Sequence, residues 1–358
     1  MGKNSFPRSL AGAAALALLV SSSPQAQEPP IASVTAVLET DNVDIDPDDP
    51  AIWVNPADPA ASRVIGTDKD YGLVVFDLAG KIVQRLPDGR LNNVDLRADV
   101  MLGGRRKTLV AASKRENNTI VFYSIDTTGT LAPATPFAFP GSPVEIGDDI
   151  YGIGFYQEPK SGALSVIASF KTGDVVQWLV SAEGDTLSLA LARQWTIPSQ
   201  PEGVTADDQL GFIYVGEEDG GIWRFPADPN VAAAGVLVDK VGSACLPVDD
   251  VEGMGVLVTG PSSGYLVVSA QGVNRYALYP RQPDATGNQP CLGSFGIATG
   301  ATDPVGETDG LEVTSAPLGP NFPSGLMVVQ DDRNEGFSRN YKYVSWADVV
   351  AALHLPAN

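Results

Sequence analysis

The sequence is short of the side chains on which many hydrolases depend. It has a single histidine, His354, close to the C-terminus. This excludes a Ser-His-Asp triad, a phosphatase with a histidine nucleophile and a metal site built on several histidines. Cys245 is followed by Leu-Pro-Val-Asp-Asp rather than by an arginine-bearing phosphate loop, and no Walker or dinucleotide-binding fingerprint occurs. The chemistry that remains is metal-assisted, with water as the nucleophile.

Positive charge is also scarce. The chain has 23 lysines and arginines against 43 aspartates and glutamates, a formal net charge of −20. This excess argues against nucleic acid or an anionic membrane as a partner, and it permits cation binding. Solubility alone would also explain the negative charge. Whether the acidic residues bind a cation therefore depends on where they lie along the chain. We find no signal for an oligomer and expect a monomer.

Long apolar runs are confined to the N-terminus. Lys3 and Arg8 precede an apolar run over 10–20, and small residues follow over 21–27. Eleven apolar residues are too few to span a bilayer, and this order is typical of a secretory signal peptide. We therefore predict a signal peptide over 1–27, a single folded domain over 28–358, and a secreted or periplasmic protein.

Only two cysteines are present, Cys245 and Cys291. In an oxidising compartment they predict a disulfide bond. Two buried free thiols are the alternative.

One pattern returns along the chain: an acidic or amide residue comes just before or within the start of a short apolar segment. Its six markers, spaced roughly 50 residues apart, are Asp49, Asn93, Asp149, Glu202, Asp250 and Asp309. Each unit continues with short β-branched and aromatic runs separated by turn residues. This pattern predicts an all-β fold, a six-bladed β-propeller of four-stranded antiparallel blades around a central channel. A β-sandwich is the alternative, but it does not explain the regular return of the motif. Helical periodicity is clear only over 345–354, where we predict a short helix capped by Ser345.

The acidic motifs should meet at one mouth of the channel, because the first strand of each propeller blade lines it. The residues expected there are Asp49, Glu202, Asp250, Glu252 and Asp309, with Glu217, Glu218 and Asp219 from a neighbouring turn. So many carboxylates repel one another unless some are protonated or a hard cation lies among them. Oxygen ligands without histidine or cysteine suit Ca²⁺ better than Mg²⁺ or Mn²⁺. Solvated turn aspartates without a metal are the alternative.

Three basic residues share one phase of the repeat. Lys69, Arg115 and Lys171 each occupy a turn between strands of consecutive units, and Tyr151 follows the third acidic motif. Basic side chains beside a metal-charged acidic cluster would bind a polyanion, most naturally phosphate. Three solvated turn residues are the alternative.

Several long motifs occur in the order found in a known family. They are "DPDDPAIWVNP" (46–56), "GRLNNVDLR" (89–97), "PEGVTADDQLGFIYVGEED" (201–219), "DDVEGMGV" (249–256), "SAQGVNRYALY" (269–279) and "TDGLEV" (308–313). From about residue 33 to the C-terminus the chain resembles the β-propeller phytases. This resemblance implies several bound Ca²⁺ ions and removal of phosphate from phytate (myo-inositol hexakisphosphate), the activity of a 3-phytase-type phosphoric monoester hydrolase.

The resemblance also implies roles for individual residues. Glu202 looks like a carboxylate that holds Ca²⁺ and positions the attacking water. The implied calcium ligands besides Glu202 are Asp48, Asp49, Glu218, Asp250, Glu252, Gln271 and Asp309. The implied catalytic contacts to the phosphate are Lys69, Arg115, Tyr151 and Lys171.

The chain departs from the family pattern in two places. Members from bacilli carry two adjacent lysines where this chain has Lys69-Asp70, and the second lysine helps to hold a neighbouring phosphate. We therefore expect a different substrate affinity or a different preference among inositol phosphates. The cysteine pair is an addition to the family pattern, and we place it between blades five and six.

Two other functions remain open at this point. One is a non-catalytic, calcium-stabilised propeller that binds a polyanion or a protein at the same mouth. The other is a different metal-dependent hydrolase, such as a lactonase. Both explain the acidic ring, but neither gives a strong reason for three basic residues in phase beside it. Phosphate release from calcium phytate discriminates between them.

Overall fold

Six sheets contain almost all the regular structure of the computed structural model, which describes residues 1–2, 28–43, 45–134, 137–138, 149–332 and 339–356. The sheets are antiparallel except for two short edge strands, Ile31–Thr35 and Phe137–Ala138, which pair in parallel. The sheets are the blades of a propeller, so the predicted six-bladed architecture is confirmed. Apart from residues 1–2, the predicted signal peptide lies outside the described residues.

The strands follow the chain blade by blade. Two short strands come first, β1 (Ile31–Thr35) and β2 (Leu38–Glu39). Blade one contains β3 (Pro47–Trp53), β4 (Arg63–Asp68), β5 (Gly72–Phe76) and β6 (Ile82–Leu86). Blade two contains β7 (Leu91–Leu102), β8 (Arg105–Lys114), β9 (Thr119–Ile125) and β10 (Leu131–Pro133). Blade three contains β11 (Phe137–Ala138), β12 (Ile150–Gln157), β13 (Leu164–Phe170), β14 (Asp174–Glu183) and β15 (Thr186–Thr196).

The second half of the chain repeats this order. Blade four contains β16 (Pro201–Asp207), β17 (Phe212–Glu217), β18 (Gly221–Pro226) and β19 (Val236–Lys240). Blade five contains β20 (Val251–Val258), β21 (Gly264–Ala270), β22 (Arg275–Pro280) and β23 (Gly293–Ala298). Blade six contains β24 (Leu311–Thr314), β25 (Leu326–Asp331) and β26 (Asn340–Ser345). Three 3₁₀ turns (Pro59–Ala61, Arg115–Asn117 and Gln271–Val273) and one helix, α1 (Trp346–Ala352), complete the regular elements.

The N-terminal strands close the ring. β1 adds to the outer edge of blade five, parallel to β23, and β2 then becomes the outermost strand of blade six, antiparallel to β26. The N-terminal segment therefore joins two neighbouring blades by backbone hydrogen bonds. A ring closed in this way has few exposed strand edges.

The first strands of the blades form the wall of the channel. β3, β7, β12, β16, β20 and β24 each pack against the first strand of the next blade, and β24 packs against β3. Between each pair of neighbouring blades lies one apolar cluster, so the strands are buried on both faces. Burial of apolar surface from both sides holds the first strands in place, and with them the residues at the mouth.

The C-terminal helix is held by packing rather than by its cap. Ser345 occupies the predicted N-cap position, but its side chain makes no capping hydrogen bond. Trp346 is fully buried, and its ring lies 5.9 Å from that of Tyr265 in blade five. No helix among the described residues is long and apolar enough to cross a membrane.

The predicted disulfide is present, but its position differs from our expectation. Cys245 lies in the connection between blades four and five, and Cys291 lies between β22 and β23. The bond therefore fastens that connection to blade five and does not lie between blades five and six. Our expectation was wrong because the long loop that bears Cys291 lies within blade five, between its third and fourth strands.

Candidate active site

One turn residue from each blade lies at the same mouth of the channel. This residue follows the second strand of its blade, and its backbone N–H donates to a carbonyl just before the first strand of that blade. The six pairs are Lys69–Asp46, Arg115–Arg90, Lys171–Asp149, Glu218–Gln200, Gln271–Asp250 and Asp332–Gly306, at N···O distances of 2.8–3.2 Å. Blades one to three thus present cations, and blades four to six present two acids and an amide.

Three glutamates form a cluster on the acidic side of the mouth. One carboxylate oxygen from each of Glu202, Glu218 and Glu252 lies within 4.8 Å of the others. Glu202 and Glu252 are buried, and Glu218 is half-buried. Burial, followed by the charge of Glu202, raises the pKa of Glu252 well above its ordinary value. Burial also raises the pKa of Glu218, to about 7.

Two aspartates and a lysine lie beside this cluster. The ammonium of Lys69 is 3.4 Å from Asp48 Oδ2 and 3.3 Å from Asp309 Oδ2. Gln271 donates to the other oxygen of Asp309. Burial raises the pKa of Asp309 to about 7, while Lys69 opposes that rise. Burial disfavours the charge of Lys69, but Asp48, Asp309 and Glu202 outweigh it and raise the lysine pKa, so Lys69 stays charged.

The oxygen atoms of these groups fit a hard cation. Among the described residues, neither carboxylate oxygen of fully buried Asp48 accepts a hydrogen bond, although the Lys69 ammonium lies 3.4 Å from Oδ2, and the Oε2 atom of Glu252 also has no hydrogen-bond partner. Buried carboxylate oxygens without donors are costly unless a positive charge lies nearby. The donor set is carboxylates and an amide, without histidine or cysteine, which suits Ca²⁺.

In four consecutive blades a glycine follows Tyr151 or an acidic residue at the start of the first strand; three of these glycines lie on the strand, and Gly310 comes directly before β24. A Cβ built at Gly152 would overlap the carbonyl oxygen of Glu202, and one at Gly203 would lie 2.3 Å from that of Glu252. Gly253 is similarly close to Asp309, and Gly310 to Asp48. Each glycine lets the next blade's acidic residue approach closely. Only the structure shows this role, although glycine follows the acid in three of the motifs quoted above and follows Tyr151 after the third acidic motif.

Tyr151 organises the basic side. The ammonium of Lys171 lies 4.1 Å from the centre of the Tyr151 ring, and the guanidinium of Arg115 lies 5.4 Å from it. Arg115 also contacts Asp149 at 3.4 Å. Burial raises the pKa of Tyr151, with the charge of Glu202 and a hydrogen bond to it contributing, so the phenol stays protonated.

Three polar residues at the mouth were missing from our predictions. Asn92 contacts both Glu202 and Arg115. Gln330 accepts from the backbone N–H of Asp309 at 2.9 Å and donates to its Oδ2 at 3.4 Å. Asp332 holds in blade six the position that Lys69 holds in blade one. That shared phase could have identified Asp332 from sequence, whereas Asn92 and Gln330 gave no such signal.

Asp49 lies apart from both acidic groups. Its side chain faces the central channel, where Oδ2 accepts from the backbone N–H of Val94 at 3.0 Å. Asp95 and Glu312 line the same cavity. Burial raises the pKa of Asp49 well above its ordinary value, and the charge of Glu312 adds to the rise. The neighbouring side chains of Asp48 and Asp49 therefore lie in different surroundings, the first beside Lys69 and the second facing the central channel.

Three further acids are not part of the cluster that we expected. Asp250 contributes backbone hydrogen bonds to Glu218 and Gln271. Glu217 is buried within blade four, where it accepts from Ser199 and Trp223, and Asp219 is exposed. The alternation of side chains along a strand explains why Glu217 points away from the glutamate cluster that Glu218 joins, because consecutive side chains of a strand point to opposite faces.

Asp70, at the position where the family resemblance predicts a second lysine, forms an ion pair. Its Oδ1 lies 3.1 Å from Arg90 Nε, and both side chains are about half exposed. The carbonyl of Arg90 accepts from the backbone N–H of Arg115. An arginine is therefore held at the mouth next to Lys69 and Arg115.

A propeller mouth that sets carboxylates against lysine, arginine and tyrosine has the groups needed to hold a cation and a phosphate side by side. The chain belongs to the phytase family, whose model matches residues 7–356. It is 37% identical over 332 residues to the 3-phytase of Bacillus subtilis (strain 168), covering 89% of this chain and 85% of that protein. It also resembles a solved structure, that of BBS1N in complex with ARL6DN, soaked with lead. The TM-score there is 0.46 with 9% identity, over 83% of this chain and 79% of the other, and it supports no conclusion.

Proposed function

We propose that this protein hydrolyses phosphate monoesters of phytate in a calcium-dependent reaction, with water as the attacking nucleophile. The observation that carries this proposal is the opposition, across one mouth, of carboxylates from blades four to six and cations from blades one to three. Membership of the phytase family and the 3-phytase relative support the reaction. They also argue against the non-catalytic module and the lactonase.

The basic residues are suited to hold the phosphate that leaves. Lys69, Arg115 and Lys171 reach the mouth from three consecutive blades, so they can contact different oxygens of one phosphate. Positive charge placed where the equatorial oxygens gain charge stabilises the transition state more than the substrate. Tyr151 remains protonated and can donate a hydrogen bond to the same phosphate.

Glu202 is suited to orient the water. It is buried at the junction of the glutamate cluster and the basic side, and it contacts both Tyr151 and Asn92. Its carboxylate can accept a hydrogen bond from a water that faces the phosphorus atom of a phosphate group whose oxygens are bound by Arg115.

Calcium is assigned to the carboxylate clusters. Glu202, Glu218 and Glu252 would hold it on one side, and Asp48, Asp309 and Gln271 on the other. When bound, it supplies charge that offsets carboxylate repulsion, and it lowers the pKa of water so that a nucleophile is available near neutral pH. We also assign Asp49 and Asp250 to calcium binding, away from these two groups.

We further propose that residues 1–27 direct the chain out of the cytoplasm, as a secreted or periplasmic protein that acts as a monomer. The disulfide between Cys245 and Cys291 supports an oxidising compartment. Cleavage is checked by N-terminal sequencing of the exported protein, and an intact Met1 on that protein would contradict this assignment.

The test is phosphate release from calcium phytate by the wild type, Glu202→Gln and Arg115→Ala. We expect each variant to lose roughly 100-fold or more in kcat/KM, the usual effect of removing a group that stabilises developing charge. Arg106→Gln is a matched control, because Arg106 forms an exposed pair with Asp99 at the opposite end of blade two. Wild-type rates in both site variants would refute the residue roles, and undiminished activity in excess EGTA would refute the calcium requirement.

A further inference from the structure

Asn92 lies between the two halves of the site. It is the second residue of β7, and its side chain is fully buried. Its Oδ1 accepts from Arg115 Nη1 at 3.2 Å, and its Nδ2 donates to Glu202 Oε1 at 3.2 Å. Nδ2 also donates to Asn93 Oδ1 at 2.8 Å. One amide therefore contacts both the cation assigned to the phosphate and the carboxylate assigned to the water.

An amide side chain has both of the atoms that this position needs. Arg115 has donors alone and an ionised Glu202 has acceptors alone, so the group between them must accept from one and donate to the other. A carboxylate could accept from Arg115 but would repel Glu202. A hydroxyl on a short side chain would not span both partners, and an apolar side chain would leave both without this contact.

The bridge also keeps opposite charges apart. A largely buried arginine and a buried glutamate that contact the same amide would gain from a direct bidentate ion pair. In the described part of the chain, however, Arg115 pairs with Asp149 and lies over Tyr151, and Glu202 joins the glutamate cluster. The neutral amide fills the space in which the direct pair would form, so the guanidinium can face phosphate and the carboxylate can face a cation and water.

We propose that Asn92 is a positioning residue of the hydrolytic site, which fixes Arg115 through its carbonyl and Glu202 through its amide nitrogen. This inference rests on the proposed function and adds a residue to it. The carbonyl sets phosphate binding, and the amide nitrogen sets the orientation of the water-positioning carboxylate. The two contacts can therefore be lost separately.

The test compares Asn92→Asp with Asn92→Leu at saturating calcium. Aspartate keeps the acceptor for Arg115 and loses the donor to Glu202, so we expect kcat for phytate to fall roughly 10- to 100-fold with little change in KM. Leucine loses both contacts, so we expect the same fall in kcat together with a KM raised roughly tenfold. Inhibition by inorganic phosphate reports binding rather than the rate of the chemical step, and it should weaken about tenfold in the leucine variant only.

Asn55→Leu is the matched control, because Asn55 is a buried asparagine at the opposite end of blade one. We expect it to lower the melting temperature without changing the kcat, KM or phosphate inhibition of the folded protein. The proposal is wrong if Asn92→Leu behaves like this control. It is equally wrong if the aspartate variant loses phosphate inhibition as strongly as the leucine variant.

A double-mutant cycle covers the case in which leucine prevents folding. Asn92→Ala and Arg115→Ala should weaken phosphate inhibition non-additively, because the first acts through the second. Additive effects would overturn the proposal. If the wild type releases no phosphate from phytate, the proposed function fails, whereas the affinity for inorganic phosphate and its response to Asn92 variants remain measurable by calorimetry.

Discussion

Replacing Glu218 with glutamine should change protein stability in opposite directions with and without calcium. Glu218 belongs to the three-glutamate cluster, and Gln200 donates to its Oε1. Glutamine has the same shape and keeps an acceptor for Gln200, so the substitution removes charge and little else. Without a cation, the ionised carboxylate destabilises the folded protein. With one, it is a ligand.

The expected size follows from the pKa. Burial raises the pKa of Glu218 from 4.5 to about 7, so the metal-free folded protein favours the protonated form. At about 1.4 kcal/mol per pKa unit, ionisation opposes folding by about 3 kcal/mol. Glu218 is half-buried, and solvent screening reduces this to about 1–2 kcal/mol. Because the folded-state pKa exceeds the unfolded one, the metal-free protein loses this stability as pH rises from 4.5 to about 7.

The assay is denaturant unfolding of the wild type and Glu218→Gln in EGTA and in calcium. In EGTA near pH 8, we expect the variant to be more stable by about 1–2 kcal/mol. At about pH 4 the difference should vanish, because both states of the wild type are then protonated. In calcium the variant should be the less stable protein. The exposed Glu183→Gln is the control, and a variant that is less stable than the wild type in EGTA near pH 8 would refute the reasoning.

Three further outcomes are expected. Gly203→Ala should lower activity at least tenfold and destabilise the protein by several kcal/mol, because the new Cβ would lie 2.3 Å from a carbonyl oxygen of the next blade; wild-type kinetics and melting would contradict this. Replacing both Cys245 and Cys291 with serine should cost up to about 4 kcal/mol by chain entropy for a sequence separation of 46, measured by denaturant unfolding, and an unchanged midpoint would show that the bond does not constrain the unfolded chain. Asp70→Lys should lower KM for phytate severalfold, since it replaces the carboxylate paired with Arg90 by a cation; an unchanged or higher KM in steady-state kinetics would show that Asp70 does not limit substrate binding.

The repeat could be predicted because its signal is local. Each blade begins with an acidic or amide residue beside an apolar run, and the strand period is two, so the sequence defines six blades and the end at which their first strands begin. The shared phase of Lys69, Arg115 and Lys171 likewise indicated that they meet. Their backbone N–H groups do make equivalent hydrogen bonds, at 2.8–3.1 Å.

The grouping of side chains could not be predicted in this way. Asp48 and Asp49 are adjacent, yet one is beside Lys69 and the other faces the channel. Asn92 and Asn93 are also adjacent, and only Asn92 bridges Arg115 and Glu202. These assignments depend on residues far apart in sequence. Arg115 is 23 residues from Asn92 in the same blade, Glu202 is 110 residues from Asn92 in blade four, and Lys69 meets Asp309, 240 residues away, from blade six.

The amino-acid sequence by itself determined the six-bladed propeller, the excess of carboxylates at one mouth and the basic residues opposite them, because these follow from periodicity and charge. Only the tertiary structure decided which carboxylates form a cluster, how β1 and β2 close the ring, where the disulfide lies and which amide separates Arg115 from Glu202. The physical reason is that the close approach of blades is set by packing between distant segments. Side chains at the mouth acquire their partners only when the ring is closed.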